Sequence, residues 1–375
     1  MKRLVFYIGI IAVLILGMAC APSFHRFKTI ENSPHEWNMF RNSLNGYYQK
    51  GVYGAYIDSL IWRGEMKARS YTTPVATSSY VAVGALDSYM YFFDLQSGER
   101  ISAFRFRSPT NQSPLVSNKV MYAAAGPKKD YVAGVNLITG KFVFKEDMRD
   151  VNAPLIGDDK FIFCGDYNGR FVCLDKYTGR AVWEFQTGGS ILNAPAVVGG
   201  RVFVGSLDQK MYALDYKSGE MLWEFEAGGA INCAPAADRY VYFGSYDGIV
   251  YCLDAADGQP VWEFETGGQV LSSPVVDDEH VYIGSNDRNV YCLEKNTGQL
   301  VWSLETGGVI NATPLVLEDV VVVGSGDGLL YMLDKIDGTP IYTYATKESF
   351  VSSPIFFDGR IYVSSVDQHL YCFGN

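Results

Sequence analysis

The chain has 375 residues, 48% of them hydrophobic and 19% charged, a balance that excludes disorder and permits a large buried core. Its 31 basic and 41 acidic residues leave a net charge of −10 with no Lys/Arg block, which argues against a nucleic-acid partner because phosphate contacts need a clustered basic surface. Length alone suits two or three domains, but 14% aromatic residues and 38 glycines point to strands joined by tight turns.

The N-terminus reads as an export signal. Lys2 and Arg3 precede an uninterrupted apolar run from Leu4 to Gly17, followed by Met18-Ala19-Cys20. The Cys after Ala19 resembles the bacterial lipobox, in which that Cys is acylated and becomes the mature N-terminus. Gly17 stands three places before it, where Leu is usual. On this reading residues 1–19 are a lipoprotein-type signal peptide, Cys20 carries the lipid, and 20–55 form a tether and lead-in. The alternative is an uncleaved anchor, since Leu4 to Ala21 is about long enough to cross a bilayer. Either way the rest of the chain is held at a membrane outside the cytoplasm. Ala21 rather than Asp after the Cys implies, by the lipoprotein resemblance, the outer membrane facing the periplasm, with the cell surface as the alternative.

From residue 56 onward one pattern repeats. A small residue followed by Pro recurs at Pro74, Pro114, Pro154, Pro195, Pro235, Pro274, Pro314 and Pro354, at spacings of 40, 40, 41, 40, 39, 40 and 40. Within a unit, a β-branched run such as Val281-Tyr282-Ile283 leads to Gly-Ser-x-Asp, and a Tyr follows that Asp by four residues. The pairs are Asp87/Tyr91, Asp208/Tyr212, Asp247/Tyr251, Asp287/Tyr291, Asp327/Tyr331 and Asp367/Tyr371. An acidic turn ending in Gly comes next, as in Asp175 to Gly179, and four residues later a Trp: Trp183, Trp223, Trp262 or Trp302. Each unit therefore reads as four short strands separated by turn chemistry. The third strand, for example Val250-Tyr251-Cys252-Leu253, is apolar on both faces and must be covered on both. Radially stacked four-stranded sheets meet that demand, so the expected fold is all-β, a single eight-bladed β-propeller over residues 56–375.

Closure is also legible. The last unit ends after its third strand, while Trp62 precedes Pro74 by the same 12 residues that separate the repeat Trp residues from their own Pro. Residues Asp58 to Met66 are thus an orphan fourth strand, expected to complete the last blade and lock the ring. The pattern thins in two units: Ser102 and Phe144 stand where Trp is expected, and the second unit has a longer hairpin at Gly126 to Asp130.

The Asp-x-x-Thr-Gly-x-x-Val-Trp unit of Asp175 to Trp183 resembles the repeat of PQQ-like, or quinoprotein-like, propellers. The lead-in Trp37-Asn38-Met39-Phe40-Arg41 also looks like a segment common in that family, and the resemblance covers about residues 37–375. Within it, a lipid signal plus eight compact blades is most similar to the BamB lipoproteins of the β-barrel assembly machinery. The resemblance implies a non-catalytic scaffold, monomeric, without cofactor, that binds protein partners in outer-membrane protein assembly. A different membrane-anchored binding propeller is the second reading and a PQQ-dependent dehydrogenase the third. Members that are dehydrogenases hold the quinone over an axial Trp, beneath a disulfide of adjacent cysteines, with Ca²⁺ and a catalytic Asp.

Candidate residues follow. Trp62, Trp183, Trp223, Trp262 and Trp302 are assigned to packing between blades. Two or three residues before each Pro stand Thr72, Gln112, Asn152, Asn193, Asn232, Ser272, Asn311 and Ser352, an axial ring that is polar and free of carboxylates. These residues either satisfy loop backbone groups or face a ligand. The histidines His25, His35, His280 and His369 are scattered without metal-ligand spacing. Cys173, Cys252, Cys292 and Cys372 occupy one equivalent position in different units, too far apart to bridge. The six repeat Asp residues, from Asp87 to Asp367, are either turn formers or an acidic rim that steers a basic partner. Finally, Arg149-Asp150-Val151-Asn152-Ala153-Pro154 is the nearest match to the partner-binding loop implied by the BamB resemblance, with Asn152 in place of a second Asp.

Overall fold

Thirty-two strands pair antiparallel into eight four-stranded sheets. The computed structural model describes residues 39–375, apart from 41–42, 47, 49, 55–56, 107–108, 110–111, 126–130, 149 and 152, and the described residues contain no α-helix. The signal and Cys20 therefore lie outside the described residues, as do Arg149 and Asn152. Residues 75–105, 115–146, 156–186, 196–226, 236–265, 275–305 and 315–345 form blades 1 to 7, each a meander of four consecutive strands. The innermost strand is only two or three residues long, which suits the narrow axis, and inner strands of neighbouring blades touch. The second and third strands are buried on both faces: Val241, Phe243, Val250 and Cys252 expose nothing. That double coverage explains why they read as continuous apolar runs.

Blade 8 joins the two ends of the described chain. Its three inner strands come from 355–374, and its outer strand is Ser59–Glu65, paired antiparallel from Ser59↔Gly374 to Glu65↔His369. The ring is closed by this strand pairing and by the packing of Trp62 into the core.

What binds one blade to the next is a clasp between an indole and a glycine. Trp183 on the outer strand of blade 3 donates its Nε1–H to the Tyr216 carbonyl in blade 4, 3.0 Å away, and its ring lies flat beneath Gly219. A Cβ on Gly219 would fall 2.6 Å from that ring, and the residue's φ is +73°, so glycine is required twice over. The same clasp joins Trp223 to Ala255 and Gly258, Trp262 to Lys295 and Gly298, Trp302 to Lys335 and Gly338, and Trp62 to Leu95 and Gly98. The last of these is the closure seam, where Arg360 also donates to the Leu95 carbonyl at 2.6 Å. Three seams differ. Phe144 lies under Gly179 between blades 2 and 3 without a donor to offer, Ser102 takes the position between 1 and 2, and Tyr342 between 7 and 8. At the 7–8 seam, Tyr344 packs edge-on against Phe373 at 5.0 Å.

A second set of ties starts from the same turns, at residues whose carbonyls accept the indoles. Lys335 pairs with Asp277 of blade 6 at 2.9 Å, and Lys295 with Asp238 of blade 5 at 2.7 Å. Both pairs are largely buried, a setting in which removing one partner strands the other charge. Burial alone would raise the Asp277 carboxyl, but hydrogen bonds from Lys335 and the Glu279 and His280 amides outweigh it and hold it below its ordinary value. The lead-in runs past these ties. The carbonyls of Leu44, Asn45 and Gly46 accept the amides of Val197, Ala237 and Val276, at the far ends of three successive inner strands. Tyr48 then lies over the Lys335 ammonium at 4.6 Å.

Replacing Trp223 by Ala should cost roughly 3–5 kcal/mol in denaturant unfolding, because it empties a buried indole site and orphans the Ala255 carbonyl. Deleting residues 56–66 should yield oligomers or unfolded chain on size-exclusion chromatography, by exposing the edge of the strand His369–Gly374. A deletion variant that stays monomeric with unchanged melting would refute closure by that strand.

Candidate functional site

The face bearing the links between blades is organised by the repeat Asp residues. Each Asp lies in the turn between second and third strands and accepts the phenolic O–H of the Tyr four residues on, at 2.5 to 2.8 Å. Its other oxygen accepts the amide two residues on, which closes the turn, as Asn289 does for Asp287 at 2.8 Å. In three blades the same carboxylate reaches across the seam to the Gly-Gly link: Gly188 donates to Asp208, Gly267 to Asp287 and Gly307 to Asp327. Asp87, Asp208, Asp247, Asp287 and Asp367 are half-buried, and Asp327 is exposed. These six carboxylates are thus committed to the fold while their charge still faces this side of the ring. For Asp287, burial pushes the carboxyl up, but hydrogen bonds from Tyr291, Asn289 and Gly267 outweigh it and hold it below its usual value. Tyr251 and Tyr331 are pushed up to about 12, by burial first and then by the Asp carboxylate they donate to.

At the axis lies a cavity of about 240 Å³. Of the expected polar ring, Gln112, Asn193, Asn232 and Asn311 line it. Thr72, Ser272 and Ser352 turn back into the fold instead, bonding the Gly84, Ala312 and Ser364 carbonyls, and the residue after each, Thr73, Ser273 or Ser353, faces the cavity. Phe40 from the lead-in also lines it, although nothing in the repeat marks that residue. Its signal is local: an aromatic residue ahead of the closing strand, in a segment with no strand pattern of its own. The residues do not fit a quinone site. The lining has no Trp, Cys, Asp or Glu, and among the described residues no group of three His, Cys, Asp or Glu is placed to hold a metal. The six described cysteines are buried and form no disulfide; burial pushes the Cys173 thiol up to about 12.

The third candidate is the start of blade 3. Asp150 has a left-handed backbone, φ +56°, and its carbonyl accepts the Tyr167 amide at 3.1 Å, while Val151 bridges to Asp166. The Asp166 carboxylate takes the place of the usual Ser and caps the amides of Asn168 and Arg170. Burial raises its carboxyl, to which the nearby Asp150 charge adds. The segment is therefore tied to the hairpin that presents Tyr167, a ring left 51% exposed.

Two family models match the sequence. One, described as outer membrane protein assembly factor BamB, covers residues 128–234, and the other, the β-propeller of beta-alanine-activating enzyme, covers 200–375. The chain is a PQQ-like β-propeller. The propeller is 28% identical over 142 residues to the outer membrane protein assembly factor BamB of Kangiella koreensis, a match to 35% of this chain and 34% of that one. The matched region thus spans about a third of that relative's length. Among solved structures, BamB from Moraxella catarrhalis superposes with a TM-score of 0.73 at 18% identity, over 85% of this chain and all of that one. A europium-containing methanol dehydrogenase superposes with a TM-score of 0.77 at 12% identity, over 92% and 99%. Likeness at such identities shows the fold.

Asp287→Asn should destabilise the propeller by about 1–3 kcal/mol at neutral pH, through weakened bonds to Tyr291 and Gly267. Because the folded carboxyl titrates below its unfolded value, that difference is present above about pH 4 and shrinks as the pH falls through the folded value. Urea titrations of both proteins from pH 7 to pH 3 measure it; a gap that widens in acid would contradict the assignment.

Proposed function

We propose that the protein is a non-catalytic, membrane-tethered scaffold, similar to BamB, that binds a protein partner in the assembly of outer-membrane β-barrels. The observation that carries this reading is where the BamB family match falls. Residues 128–234 take in most of blade 2, all of blade 3 and blade 4, including the segment 149–154. Two of the repeat's departures fall in it: Phe144 replaces Trp, and Asp166 replaces Ser. Departure from a repeat at a surface segment marks a place where a role other than packing has selected the residues.

In this reading the partner meets Arg149, Asp150 and Asn152, beside the half-exposed Tyr167, and the acidic face of Asp87, Asp208, Asp247, Asp287, Asp327 and Asp367 draws a basic surface toward it. The lipidated Cys20 supplies the tether, placing the ring at the outer membrane on its periplasmic side. An axial cavity without Trp, Cys or carboxylate supports a scaffold over a quinone enzyme.

Affinity purification of the full-length protein from native membranes should recover a barrel-assembly protein, and Asp150→Arg together with Tyr167→Ala should reduce that recovery at least tenfold with melting unchanged. Recovery that both variants leave intact would sink the proposed contact. Palmitate labelling should be lost in Cys20→Ser; labelling that persists would overturn the lipid tether.

A further inference from the structure

The axial cavity has a floor, a polar lining and one buried amide oxygen without a partner. Phe40 is 7% exposed, packed among the inner residues of blades 3 and 4. The lead-in that carries it bonds the far ends of the inner strands, so the channel is floored on that face. On the other face Tyr71 stands at the cavity wall with 44% of its surface exposed.

The polar groups divide in two. Ser113, Ser273 and Ser353 each accept an amide from the preceding blade, Thr73, Ala234 and Thr313, and so belong to the seams. The Asn193 amide nitrogen donates to Asn232, which in turn donates to the Tyr246 hydroxyl at 2.7 Å. Asn311 is different: its side-chain oxygen is fully buried and meets no hydrogen-bond partner. A buried amide oxygen left this way costs free energy that a donor in the cavity would recover. Tyr71 is the single ionisable residue among the described residues of the lining. With no charge of either sign among them to compensate, an ionic ligand would be desolvated without return.

We infer that this cavity is a binding site for a small neutral polyol of monosaccharide size, with hydroxyls bonded by Asn311 and Asn193 and a C–H face laid on Tyr71. Amides offer both donor and acceptor to a hydroxyl. An exposed aromatic ring suits the apolar face of a sugar. Leu271 and Val351 supply the remaining apolar wall. The inference does not depend on the protein partner proposed above.

The test uses D-glucose and N-acetyl-D-glucosamine as probes, with gluconate and glucosamine as charged counterparts, in saturation-transfer NMR and calorimetry on the purified full chain. At least one neutral probe should bind with a dissociation constant on the order of 1 mM, a value attainable by a few hydrogen bonds and one stacked ring. Its charged counterpart should bind at least tenfold more weakly. Asn311→Leu should abolish binding. Thr313→Val, a smaller change at a lining hydroxyl, should weaken it severalfold while leaving the melting temperature in place. Lys217→Ala, at an exposed outer turn, should leave binding unchanged. No saturation transfer from either neutral probe, equal binding of charged and neutral probes, or binding unaltered in both cavity variants would overturn the site.

Discussion

Everything in this ring hangs on a flat indole meeting a glycine. A propeller blade is a sheet with two apolar faces, and it is stable only when both are covered by its neighbours. The clasp fixes how a neighbour sits: the Trp ring sets the distance, the missing Cβ of the glycine allows it, and the bond from indole nitrogen to turn carbonyl sets the angle. Five of eight seams have all three parts. Through those seams the position of each blade is passed to the next, so the axis, the linker face and the cavity inherit their geometry from the outer rim.

Most of this architecture was legible because a repeat enforces its own reading. Pro at the start of each inner strand, Asp and Tyr four apart, and Trp at the outer strand recur often enough that blade number and closure follow from spacing alone. Less legible were the contacts that break the period. The pairing of Lys335 with Asp277 joins residues 58 positions apart in different units, and only the recurrence of Lys after an acidic residue at Lys176, Lys295 and Lys335 hints at it. Phe40 belongs to no unit at all, so nothing in the period could assign it to the axis. The polar ring was half right for a geometric reason. The longer side chains of Gln112 and Asn193, two before Pro, and of Asn232 and Asn311, three before it, reach the channel, whereas Thr72, Ser272 and Ser352 fold back on backbone carbonyls, leaving the next residue to face inward.

The repeat Asp residues show why a surface charge and a structural residue need not be alternatives. Each carboxylate has two oxygens and up to four donors within the fold, yet the formal charge is undiminished and is held at equivalent positions around the face. A partner approaching this side meets a fixed field rather than flexible side chains, which costs little ordering on contact. In the scaffold we propose, specific recognition rests instead on segments such as 149–154 where the repeat is broken.

The closing strand carries a consequence for biogenesis. Ser59 and Gly374 pair across nearly the whole chain, so the strand that seals the ring is made early while its partner strand is made last. During synthesis seven blades can stack in order, each templated by the one before, but the first blade's Trp62 side and the eighth blade's free edge stay open until residue 374 arrives. Contacts of such long sequence separation form slowly. A growing chain therefore spends its assembly time as an incomplete crescent, and the edge at risk of mispairing is the one that the strand Ser59–Glu65, already made, is waiting to fill.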